Sequence, residues 1–155
     1  DAGHDAARQA LLGLLLQARR HADAERLLQE SLAHAPGNSA HTMALARIQL
    51  DRGDNAQALD TLMRGMPAAA RNADYLAFVA ALLQRQSRHA EAVTHYVVAL
   101  RQQPDASNWL VGLGVSLQAQ GQAQGAAEAY QRALDLGLPA SLSQFARDRL
   151  QQVSR

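Results

Sequence analysis

Apolar and small residues recur along this chain at a fixed interval of 34 positions. Ala24, Ala58, Ala92 and Ala126 keep that spacing, and so do Leu11, Leu45, Val79 and Leu113. Two further series follow it: Leu28, Leu62, Tyr96 and Tyr130, then Leu32, Met66, Leu100 and Leu134. Within a period the apolar positions fall at i, i+3, i+4 and i+7, one face of a helix, as in Leu110, Leu113, Gly114 and Leu117. Gly121 then supplies the left-handed residue that ends a helix cheaply. A second stripe follows through Ala126, Ala129, Tyr130, Ala133 and Leu134. The pattern predicts four hairpins over 5–38, 39–72, 73–106 and 107–140, each a helix A, a tight turn and a helix B. A closing helix fills 141–155. A lone hairpin of this kind cannot bury its stripes, so neighbours must stack.

Small residues at Ala46, Ala80 and Gly114, together with the four periodic alanines, predict close helix approach. Larger side chains there would overpack at a cost of about 1–3 kcal/mol. Gly112 and Gly114 read as packing glycines within a helix, and Trp109 as a packing residue rather than a ligand platform. Asn38, Asn72 and Asp105 stand where helix N-caps are wanted, and Ser141 with Gln144 reads as a capping box for the last helix. Pro67 is expected to stop helix B of the second repeat early and leave a long link over 67–72. Gly125 costs its helix about 1 kcal/mol against Ala. The first helix is apolar nearly all round (Leu11, Leu12, Leu14, Leu15, Leu16), so repeat one should self-associate or be covered by a preceding segment.

Composition narrows the function classes. Ala, Leu, Gln and Arg dominate and β-branched residues are thin, which favours an all-α fold. A formal charge of +1 and 4% aromatic residues provide neither the field nor the stacking platforms for nucleic acid. With no cysteine, disulfides and thiolate chemistry are excluded. No run reaches the ~18 apolar residues of a membrane span, so this fragment is not expected to insert into a bilayer. The chain opens on Asp1 with no Met and no signal-like segment, and reads as an excised domain.

The 34-residue period with two amphipathic helices per unit resembles the tetratricopeptide repeat superfamily. That likeness implies an all-α, right-handed superhelical solenoid that holds other proteins. Residues 74–96 (DYLAFVAALLQRQSRHAEAVTHY), 109–121 (WLVGLGVSLQAQG) and 137–150 (GLPASLSQFARDRL) are similar to the C-terminal region of MSHA-type pilus biogenesis accessory proteins. The family tends to show a second Trp before Gly-Leu-Gly, where this chain has Leu110. This resemblance implies a protein anchored in the inner membrane by an N-terminal segment, with its repeats on the periplasmic face. There it would bind a pilus or secretion assembly component. The alternatives are a cytoplasmic secretion chaperone of the same repeat class and another envelope or polysaccharide-export scaffold.

Repeat proteins of this superfamily grip a peptide in a concave groove lined by helices A. At 100° per residue, the second, fifth, ninth and twelfth positions lie roughly 140° from the buried stripe. In repeat two that surface holds Ala40, Met43, Arg47 and Leu50. In repeat three it holds Asp74, Ala77, Ala81 and Gln84, with Arg85 at the edge, and in repeat four Asn108, Val111, Val115 and Gln118. A floor of small and apolar residues flanked by Arg47 and Arg85 suits an amphipathic segment bearing carboxylates. The carboxylate clamp of chaperone-binding relatives is missing, because its positions hold Gln9, Gly13, Ala44, Asp74 and Phe78. Six histidines (His4, His21, His34, His41, His89, His95) include no HExxH and no i, i+4 pair. No nucleophile elbow or phosphate loop occurs. Neither an enzyme, a metal nor a cofactor is expected.

Overall fold

The computed structural model describes residues 2–154, with side chains from residue 6 onward; the side chain of His4 and all of Arg155 lie outside the described residues. Among the described residues there are nine α-helices and no strand. They are α1 (Ala2–Gln17), α2 (His21–His34), α3 (Ser39–Asp51), α4 (Asn55–Ala69), α5 (Ala73–Arg85), α6 (His89–Gln102), α7 (Ser107–Ala119), α8 (Ala123–Leu136) and α9 (Ala140–Val153). The chain divides into two compact units, Asp1–Ala69 and Ala70–Arg155. The first carries the hairpins α1–α2 and α3–α4. The second carries α5–α6 and α7–α8, with α9 packed on α8 and α7.

Each helix A ends in the same turn. Arg19, Gly53, Ser87 and Gly121 stand 34 residues apart, and all four have positive φ (54°, 92°, 59° and 73°). The amide of the next residue reaches back five positions, from Arg20 to the Leu15 carbonyl (2.8 Å), Asp54 to Gln49 (2.8 Å), Arg88 to Leu83 (2.9 Å) and Gln122 to Leu117 (3.0 Å). A second bond joins the positive-φ amide to the carbonyl three residues before it, for example Ser87 to Gln84 at 3.0 Å. These paired bonds form the Schellman closure, which satisfies carbonyls the helix leaves open. Glycine suits this conformation, while Arg19 and Ser87 adopt it against their own Cβ.

The four periodic alanines follow these turns in helix B, and each is fully buried. They let helix B lie directly on helix A. Gly114 serves the same crossing from the other side: a Cβ there would sit 2.6 Å from the Tyr130 ring. One at Gly112 would sit 2.4 Å from the Tyr96 hydroxyl. In the second unit, Leu100, Leu110, Val111, Ala126, Tyr130, Ala133 and Ala146 form one cluster, against which Trp109 and Phe145 pack. In the first unit Leu15, Ala24, Leu28, Leu45 and Ile48 form the corresponding cluster. There the buried Glu25 carboxylate on α2 receives Arg52 at 2.9 Å, and Arg52 also reaches Asp54 and Gln57.

Several local expectations are corrected. Asn38 and Asn72 do cap α3 and α5, accepting from the His41 and Tyr75 amides at 3.0 Å. Asp105 does not cap α7: the N-cap is Ala106, with no side-chain bond. Ser141 lies inside α9, whose N-cap is Pro139, so no capping box forms; proline's fixed φ starts that helix two residues earlier than a Ser141 cap would. Pro67 does not stop α4, which runs on to Ala69. The amide it lacks would have bonded the carbonyl of exposed Met63, which water can serve, and buried Ala69 anchors the last turn. Gly125 falls in the first turn of α8, where a Cβ would meet Leu117 at 3.4 Å. On α1, Leu15 is buried and Leu12 half-buried, while Leu11, Leu14 and Leu16 are exposed.

Two predictions follow from the turns and the tyrosines. Ser87→Gly should raise unfolding free energy by about 0.5–1 kcal/mol, because the residue already sits at positive φ, and Gly121→Ala should lower it by about 1 kcal/mol. Urea titration of both variants measures this. The chain's three tyrosines, Tyr75, Tyr96 and Tyr130, are buried, and burial pushes each phenol up to about 12, opposed in Tyr130 by Arg149. A raised pKa means that the fold favours the neutral phenol. That stability is complete below about pH 10, the ordinary phenol pKa, and is lost as pH rises toward 12. Absorbance at 295 nm should show no phenolate step near pH 10, and all three phenols should ionise near 12 together with loss of helical ellipticity.

Candidate partner-binding surface

On α5 and α3 the buried stripe of helix A lies where the periodicity puts it, whereas on α7 Leu113 and Leu117 are half-buried and on α1 Leu11 is exposed. Leu76, Val79, Ala80 and Leu83 are all buried on α5, as are Thr42, Leu45, Ala46 and Gln49 on α3. The opposite stripe divides into two kinds of position. In the second unit Asp74, Arg85 and Asn108 are exposed, and Ala81 and Val115 half-buried. Ala77 and Val111, by contrast, are buried at 5% exposure, so they contribute to packing and present no floor. Val111 and Val115 belong to the cluster completed by Ala146 and Phe145 of α9. An inner helix of a stack has a further neighbour, the next inner helix, beyond its own hairpin partner, and that neighbour covers positions a lone helix leaves open.

Gln84 and Gln118 are likewise taken up within the fold. The Gln84 side-chain amide donates to the Gly112 carbonyl and to the Ser116 hydroxyl, both at 2.7 Å, and laces α5 to α7. Ser116 is fully buried, so its hydroxyl depends on that donor. The Tyr130 hydroxyl donates to Gln118 Oε1 at 3.0 Å and ties α8 to α7. The periodicity did not signal these bonds, since glutamine in a helix is ordinarily a solvated residue; the clue was Ser116 in a register otherwise held by Ile48 and Leu82. In the first unit α3 carries Ala40 and Arg47 exposed, with Met43 and Leu50 half-buried.

What remains open of that stripe on α5 and α7 is half-buried Ala81 and Val115, with exposed Asp74, Arg85 and Asn108 on the same two helices. Those five side chains bring together one cation, one anion and small apolar and polar groups. Among the described residues no three His, Cys, Asp or Glu side chains converge to hold a metal. His21 and His34 are exposed; His41, His89 and His95 are half-buried. Burial lowers the His95 pKa, against the pull of Glu91. Among the described residues no helix is long and apolar enough to cross a membrane.

Two tetratricopeptide repeat family models match the chain, over residues 15–82 and 80–139. The chain is a tetratricopeptide-repeat protein. No curated protein matches its sequence. Solved structures share its fold. The chain is similar to MamA from Desulfovibrio magneticus RS-1 at 15% identity and TM-score 0.77, covering 96% of this chain and 88% of that one. It is similar to PilF of Pseudomonas aeruginosa at 24% identity and TM-score 0.81, covering 97% and 70%. YrrB, described as a repeat protein with an unusual peptide-binding site, is similar at 16% identity and TM-score 0.77, covering 96% and 76%. As a tetratricopeptide-repeat protein, the chain has the build of a protein-interaction scaffold.

If Gln84 is a lacing residue and Arg85 a surface one, their removal should separate cleanly. Gln84→Ala should cost about 2 kcal/mol, through a buried hydroxyl left without its donor. Arg85→Ala should change stability by less than about 0.5 kcal/mol. Urea unfolding of the two variants distinguishes them.

Proposed function

We propose that this domain is a non-enzymatic scaffold in the assembly of a type IV pilus or secretion-like envelope machine, on the periplasmic face of the inner membrane. It holds an amphipathic partner segment on the helix-A face. The observation that carries the binding reading is the α5–α7 strip: Ala81 and Val115 stay partly open while their neighbours Ala77 and Val111 are buried, and Arg85 stands exposed at its edge. Small side chains allow a partner helix or strand to come close. An Arg at the border can pair bidentately with a carboxylate while its stem covers apolar surface. The pilus reading is supported by the resemblance of residues 74–96, 109–121 and 137–150 to MSHA-type pilus accessory proteins and by the fold shared with PilF. The same face on α3, with Met43, Arg47 and Leu50, serves the same partner class.

Ala81→Glu should abolish capture of envelope-assembly partners from a periplasmic extract while the circular dichroism spectrum stays native. Arg85→Ala should weaken capture by about 1–2 kcal/mol, as for a charge-assisted bond. Undiminished recovery by Ala81→Glu would show that this face does not bind.

A further inference from the structure

The two units repeat one arrangement with a chemical difference. In the second unit α6, α7 and α8 form a layer whose inner positions are Leu110, Leu117 and Ala129. In the first unit the layer of α2, α3 and α4 has Thr42, Gln49 and Thr61 at the same register, 68 residues earlier. These three polar side chains are buried at 3%, 1% and 5% exposure. They line a cleft of about 390 Å³ between α2 and α4, with α3 as its floor and Leu32, Pro36 and Leu45 as apolar walls.

Two of the lining side chains carry polar atoms without partners, just beneath the cleft surface, where a rotation of either side chain would present them. Gln49 Oε1 and Thr61 Oγ1 are buried and make no hydrogen bond. Thr61 is unusual in this, because Ser31, Thr42 and Thr94 each donate to the carbonyl one turn back, at 2.9, 3.0 and 3.2 Å. An unpaired buried acceptor is costly, and Leu occupies the register of Gln49 in both later repeats, so a purely structural role has a better solution in the same chain. The mouth differs as well. In the second unit Arg132 donates to the Pro104 carbonyl at 2.9 Å and spans the corresponding opening. Its counterpart Arg64 instead pairs with Asp60 at 2.9 Å on its own helix, beside Gly65 where the second unit has Ala133.

We infer that this cleft is a receptor for a phenol, presented as a tyrosine side chain by a partner protein. The floor is neutral and offers an acceptor, so it suits an uncharged donor rather than an ion. The walls are apolar, so they suit a ring behind that donor. The protein already makes this pairing internally, with the Tyr130 ring against α7 and its hydroxyl donating to Gln118 Oε1 at 3.0 Å. Exposed Gln29 at the rim offers an amide to the backbone flanking such a tyrosine. The site is separate from the helix-A face proposed above, and each stands or fails without the other.

The test is an NMR titration of the isotope-labelled full chain with a blocked Ala-Ala-Tyr-Ala peptide, the same peptide carrying O-methyltyrosine, and p-cresol. The tyrosine peptide should shift amides of α2, α3 and α4 and bind about fivefold tighter than its methyl ether, the worth of one neutral hydrogen bond. It should also bind tighter than p-cresol. Gln49→Leu should erase the preference for the hydroxyl while melting no lower than the parent, and Thr61→Ala, which copies Ala129, provides a second variant with the same expectation. Equal binding of the methyl ether, a preference that survives both substitutions, or no shift in α2–α4 would overturn the assignment. Tighter binding of p-cresol than of the peptide would overturn the protein source of the phenol.

Discussion

Everything in this fold depends on how closely two helices of one hairpin can lie. At the crossing points the side chain is a methyl group or nothing: Ala24, Ala58, Ala92 and Ala126 have no exposed surface, and at Gly114 a single added carbon would enter the Tyr130 ring. That contact sets the distance between helices, and the distance sets which side chains can span it. Tyr130 reaches Gln118 because its ring passes over a glycine. Protein interiors are packed at crystal-like density, so such a contact transmits its geometry to the layers beside it.

Much of this was legible from spacing alone. The 34-residue recurrence pointed to two helices in each period, to the buried stripes of α3 and α5 and to the asparagine caps of the same two helices, because each reports a backbone demand repeated several times over. Features that occur once were less visible. Pro67 reads as a helix stop, but one missing amide near a helix end facing water is a small loss beside the burial of Ala69. Asp105 and Ser141 have good capping chemistry, yet the chain enters α7 and α9 at Ala106 and Pro139 instead.

The candidate binding face shows the same boundary between pattern and packing. A helical wheel assigns each residue an angle, and from angle alone Ala77, Ala81, Val111 and Val115 look equivalent. Burial separates them, since Ala77 and Val111 are covered and the other two are not. Gln84 illustrates the limit more sharply. Its neighbour Arg85 looks no more polar in sequence, yet Gln84 faces α7 with two hydrogen bonds and Arg85 stands exposed. A one-residue step on a helix is 100° of rotation, enough to exchange a structural role for a surface one.

The turns carry a last consequence. Every connection from helix A to helix B is three residues long, at 18–20, 52–54, 86–88 and 120–122, whereas the links from B to A have three or four. A residue inserted into the first kind would turn helix B by 100° and carry its buried alanine off the crossing, besides breaking the six-residue bond that closes helix A. The second kind lacks that six-residue closure, although Asn38 and Asn72 cap the helices that follow and Arg132 holds the Pro104 carbonyl. Length added there leaves each hairpin's own crossing in register and falls instead on the packing between neighbouring hairpins.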